Sequence, residues 1–84
     1  MEHEVGWDSA IEQVENAFAR GEANLLGPLL RDLRRSRLPP IPEAERRLLV
    51  VHGLERAERC ALSGDMGTAY VEFQCVVARV SVTQ

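Results

Sequence analysis

The sequence predicts an all-α fold, a four-helix domain built from two antiparallel helical hairpins joined by a Pro-rich connector. Three observations point to it. Apolar residues recur at helical spacing along most of the chain. Gly21, the LPPIP segment (38–42) and Gly64 punctuate those stretches. Aromatics make up only 5% of residues, so the core must be aliphatic, which suits closely packed helices.

The first helix is expected after Gly6. Ser9 and Glu12 have the S-x-x-E spacing of a capping box, and Trp7, Ala10, Ile11, Val14, Ala17 and Phe18 form an i, i+3, i+4, i+7 stripe. Gly21 is placed to end it, with Arg20 at the negative end of the helix dipole. In the second helix Asn24 is the expected cap, Pro28 is expected near the end of the first turn, and Leu26, Leu29, Leu30 and Leu33 form the buried stripe beside Leu25. Residues 38–42 must run extended, because a residue before proline avoids the helical region. Pro42 suits position N1 of the third helix, with Glu43 and Glu45 at its positive end. Val50, Leu54, Ala57 and Ala61 share its apolar line, with Leu49, Val51, Cys60 and Leu62 flanking, while Glu45, His52, Glu55, Arg56 and Arg59 take the opposite arc.

Gly64 ends the third helix and Asp65 caps the fourth, whose stripe is Met66, Ala69, Tyr70, Phe73, Val76, Val77 and Val80. Its β-branched content leaves a second option for 68–82, a strand that pairs across a dimer. The turns in ENAFARGEANLL and ERCALSGDMGTA share a helix–Gly–acidic–helix pattern that resembles the turns of tetratricopeptide hairpins. Gly21 and Gly64 are 43 residues apart, however, against a period of 34 in that family, and two ordinary glycine turns suffice.

Eighty-four residues make one domain, 1–84, with residues 1–6 expected to fray. A core this small is marginal by itself, and scaffolds of this size commonly add disulfides, a metal or a partner. Two cysteines make no disulfide framework, and in a hairpin turning at Gly64-Asp65, Cys60 and Cys75 are offset by about 9 Å. Metal-ligand spacings such as C-x-x-C and C-x-x-H do not occur, and both thiols are expected to be free and buried. No apolar run has the length to span a bilayer, and the acidic N-terminus does not look like a secretory signal, so a soluble cytoplasmic protein is expected. All ten basic residues are arginine, which fits G/C-rich coding in a bacterium or one of its mobile elements or phages, or else selection for bidentate recognition.

Phosphate-binding, nucleophile-elbow and zinc-protease motifs do not occur. His3 lies in the terminus, and His52 on a polar arc has no identifiable nucleophile to serve. A non-catalytic protein without metal or cofactor is expected.

Charge is the most informative local feature. Residues 1–30 carry one Arg and six acids (−5), residues 31–60 eight and five (+3), residues 61–84 one and two (−1), giving −3 in all. The positive stretch centres on Arg31, Arg34, Arg35 and Arg37, with Arg46 and Arg47 beyond the prolines. Three explanations are open: cations complementing a helix dipole, docking onto an acidic partner surface, or contact with nucleic acid. Overall acidity disfavours non-specific nucleic-acid binding. The expected function is therefore a protein–protein interaction module, an adaptor, an inhibitor or anti-activator, or a small chaperone of a larger partner with an acidic or mixed surface. It is expected to form a homodimer. Arg31, Arg34, Arg35, Arg37, Leu38 and Ile41 are the expected contact residues. The alternative is a helical DNA-binding regulator that meets phosphates through the arginines. Trp7 is expected to lid the core, and LPPIP to connect rather than to bind.

Overall fold

A computed structural model describes residues 6–36 and 38–81. It is an all-α four-helix domain: α1 (Trp7–Arg20), α2 (Ala23–Arg35), α3 (Ala44–Leu62) and α4 (Met66–Ser81), with no strand among the described residues. Each helix packs on its neighbour in sequence. Contacts of Gly27 with Leu62, Arg31 with Glu58 and Arg34 with Glu55 run in opposite residue order, so α2 and α3 are antiparallel. Gly53 with Val76 and Arg56 with Glu72 show the same for α3 and α4. The α-carbons span 34 × 33 × 17 Å, a slab in which much helix surface stays uncovered.

The stripes predicted from spacing are the faces that meet. Ala10, Val14 and Ala17 of α1, Leu26, Leu30 and Leu33 of α2, Val50, Leu54, Ala57 and Ala61 of α3, and Ala69, Phe73 and Val76 of α4 form one buried cluster. Phe18 joins α1 to α4, edge-on to Tyr70 with ring centroids 5.1 Å apart and tilted against Phe73 at 5.6 Å. Trp7 packs half-buried against the cluster.

Helix ends differ in detail from the sequence expectation. Gly6, extended, is the N-cap of α1 and no side chain caps it, so Ser9 and Glu12 lie inside the first turns rather than forming a capping box. Gly21 ends α1 at φ 67, with its amide donating to the Phe18 carbonyl and the Glu22 amide to that of Ala17, a left-handed turn that glycine adopts without strain. α2 starts at Ala23 with Glu22 as its N-cap. Asn24 is thus inside the helix, and Pro28 falls in its second turn on the exposed side, where water can reach the carbonyl that loses a donor. Helix α3 begins at Ala44 behind N-cap Glu43, so Pro42 precedes it instead of taking N1. The Glu43 carboxyl, hydrogen-bonded by Arg46, is held below the usual carboxylate range. Asp65 does cap α4: its Oδ1 accepts the Thr68 amide at 3.1 Å.

The valine-rich 68–82 segment is helix through Ser81; Val82 lies outside the described residues. Its β-branched side chains find room because α3 carries glycine where α4 approaches. A Cβ on Gly53 would lie 2.6 Å from Cγ2 of Val76. Tertiary burial of Ala69, Phe73 and Val76 outweighs the modest helix propensity of valine. Residues 1–5, with His3, lie outside the described residues.

Candidate functional site

The arginine stretch lies along α2 and the chain that follows it. At 100° per residue, Gly27, Arg31 and Arg34 share one flank of α2, beside the Leu26, Leu30 and Leu33 stripe, while Arg35 points away from that stripe. The facing flank of α3 is Leu62, Glu58 and Glu55, and the two flanks meet as an antiparallel ladder. The Leu62 side chain lies over Gly27, where a Cβ would come within 2.7 Å of its Cδ2. Arg31 Nε donates to Glu58 Oε2 at 3.1 Å, and Arg34 Nη2 donates to Glu58 Oε1 at 3.0 Å. Arg34 Nη1 also lies 4.0 Å from Glu55 Oε2.

Glu58 is the functional-site residue that sequence reasoning missed. It is 7% exposed, the only charged residue among the buried ones described. Both of its oxygens are occupied by guanidinium groups that remain partly open to water, which compensates the cost of withdrawing a carboxylate from solvent. A signal was available: Glu58 follows Ala57 and is four residues from Leu54, at the shoulder of the buried line, where an acid needs a cation on the facing helix.

Among the described residues, the remaining cations of the stretch are also engaged, with one exception. Arg46 bonds Glu43, and Arg47 Nη1 donates to the Ile41 carbonyl at 3.2 Å. Arg37 lies outside the described residues. Arg35 is exposed and has no hydrogen-bond or ion-pair partner among the described residues. The expected contact residues Leu38 and Ile41 belong to the interior: Leu38 is half-buried against the core, and Ile41 is 3% exposed within it. The connector turns its apolar side chains inward, where Ile41 joins the buried cluster and Leu38 packs against it. Of the six expected residues, then, Arg31 and Arg34 converge on Glu58, Arg35 stands free, and Ile41 is covered.

Arg34, Glu55, Glu58, Arg59 and Leu62 line a surface groove of about 290 Å³ between α2 and α3. The Nε of Arg34 is buried there without a hydrogen-bond partner. Beside the groove, the outer face of α3 exposes Leu48, Leu49 and Leu62 together with His52, Arg56 and Arg59. Arg56 donates to Glu72 of α4 at 3.2 Å. Both cysteines are free thiols; Cys60 is half-buried, but Cys75 is exposed rather than buried as expected, because it falls well off the Ala69, Phe73 and Val76 stripe of α4.

No helix among the described residues is long and apolar enough to cross a membrane. Comparison with protein-family models, characterised proteins and solved structures gives no match to this chain.

Proposed function

We propose that this protein is a non-catalytic interaction module that binds a larger protein partner through the outward end of α2, acting as an adaptor, inhibitor or small chaperone. The observation that carries this reading is Arg35. In a chain with thirteen acidic residues, its guanidinium is exposed and unpaired among the described residues, next to the half-exposed Arg31. A planar fork of donors held at a helix end suits bidentate recognition of a carboxylate on an acidic partner surface. Arg37, two residues on, extends the same basic sequence. Arg31 and Arg34 contribute by holding α2 against α3, and Ile41 by anchoring the connector beneath.

Charge reversal of Arg35 and Arg37 tests the reading without disturbing Glu58. The Arg35→Glu/Arg37→Glu variant should keep its helical circular dichroism and bind the partner about tenfold or more weakly. Unchanged binding would remove the assignment. A gel shift on random duplex DNA at low salt, steeply weakened by added salt, would instead favour a nucleic-acid ligand.

A further inference from the structure

We infer that the outer face of α3 is a two-fold interface with a second copy of this chain, formed by antiparallel pairing of α3 with α3 of the partner copy. The inference concerns a different surface from the α2 end and stands independently of the function proposed above. Leu48 and Leu62 are 56% and 64% exposed, the former near the start and the latter at the end of the helix. With 3.6 residues per turn, Leu48, His52, Glu55, Arg59 and Leu62 all fall within about 40° of one line along α3. Positions 48, 55 and 62 recur at the seven-residue spacing of a helix–helix seam, apolar at the two ends and acidic at the centre. Helix α2 borders one side of this line, with Gly27 beneath Leu62 and Arg34 4.0 Å from Glu55, but Leu48, His52 and Arg59 stay exposed, and the groove beside it runs along the Glu55–Leu62 half.

The order along the line is Leu48, His52, Glu55, Arg59, Leu62, and its acid–base pair, Glu55 and Arg59, is self-complementary when reversed. Antiparallel alignment about a two-fold axis near Ala57 sets Glu55 of each copy opposite Arg59 of the other, giving two reciprocal ion pairs. Leu62 of one copy then faces His52 of the other, about one helical turn from its Leu48. This is the isologous pattern of a cyclic dimer, in which residue i meets j and j meets i. The Arg59 guanidinium has no partner within its own chain among the described residues, and Glu55 holds only the 4.0 Å approach of Arg34. Arg56 does not compete, since it is bonded to Glu72. The apolar ends supply burial and the central charges fix direction and register. One helix pair buries less than a standard interface, so the dissociation constant is expected to be roughly micromolar.

Sedimentation equilibrium on the full chain tests this with a charge swap. The wild type should pass from monomer to dimer as concentration rises from about 1 μM to about 500 μM. Glu55→Arg and Arg59→Glu should each associate at least tenfold more weakly, because like charges then face each other across the axis. An equimolar mixture of the two variants should form a heterodimer. In it the arginine introduced at position 55 of one chain meets the glutamate introduced at position 59 of the other, and the native Arg59 meets the native Glu55. A wild type that stays monomeric throughout, or a mixture no more associated than its components, overturns the inference. If either charge variant loses its helical circular dichroism, Leu48→Gln takes its place; Leu48 is exposed, and its change should weaken dimerisation with helicity intact. A Leu48→Gln protein that dimerises like the wild type also overturns the inference.

Discussion

At position 58 a carboxylate sits on the shoulder of a buried helix face and receives two guanidinium groups from the helix opposite. Glu58→Gln should destabilise the fold by about 1.5–3 kcal/mol, nearer the lower figure because water reaches Arg31. Chemical denaturation at fixed salt reads this directly, and a change below about 0.5 kcal/mol would show the pairs to be dispensable. The two glycines at helix contacts should behave differently from each other. A methyl group on Gly53 meets the buried, branched Val76, so Gly53→Ala should cost about 1–3 kcal/mol. On Gly27 it meets only the far end of the exposed Leu62, which can move, and alanine's better helix propensity offsets that shift; Gly27→Ala should be close to neutral.

Among the elements, α4 depends most on its surroundings. Its start is fixed by Asp65, whose carboxyl is held below its usual range by hydrogen bonds from the Thr68 side chain and backbone amide. A depressed folded-state value means the cap stabilises fully above the unfolded value of 3.8 and loses that contribution as pH falls through the folded one. Asn can still cap but does not titrate in this range, so Asp65→Asn should keep its melting temperature near neutral pH and lose less of it on acidification than the wild type does. Phe73, fully buried and touching Phe18, carries the contact of α4 with α1; Phe73→Ala should cost about 3–5 kcal/mol. The buried stripes of all four helices were legible in the sequence, because spacing alone sets which side chains share a face. Helix caps were less so, although α1 does begin directly after Gly6 as its spacing predicts. Ser9, Asn24 and Pro42 are all good initiators by residue type, yet Gly6, Glu22 and Glu43 hold those places. Packing of Trp7 and Ala10 leaves Ser9 inside the first turn of α1, the tight Gly21 turn leads straight into α2, and the buried Ile41 holds Pro42 before α3.

On the scale of the whole molecule, the charge asymmetry was legible and its use was not. The arginine stretch lies where sequence placed it, but linear proximity cannot distinguish a cation that faces a neighbouring helix from one that faces solvent. Arg31 and Arg34 face Glu58, while Arg35, one residue further, faces out. That difference of 100° around the helix divides the basic stretch into a part that joins α2 to α3 and a part that faces solvent. Reversing Arg34 together with Arg35 would mix the two, since a carboxylate at position 34 would oppose Glu58 and weaken the fold. The separation gives the most direct test of the central claim. Affinity capture from the source organism should be run with the wild type, Arg35→Glu/Arg37→Glu and Glu58→Gln in parallel, each confirmed helical, with the captured protein quantified by mass spectrometry. One partner should be held by the wild type and by Glu58→Gln but lost with Arg35→Glu/Arg37→Glu. Equal recovery with all three proteins would contradict it.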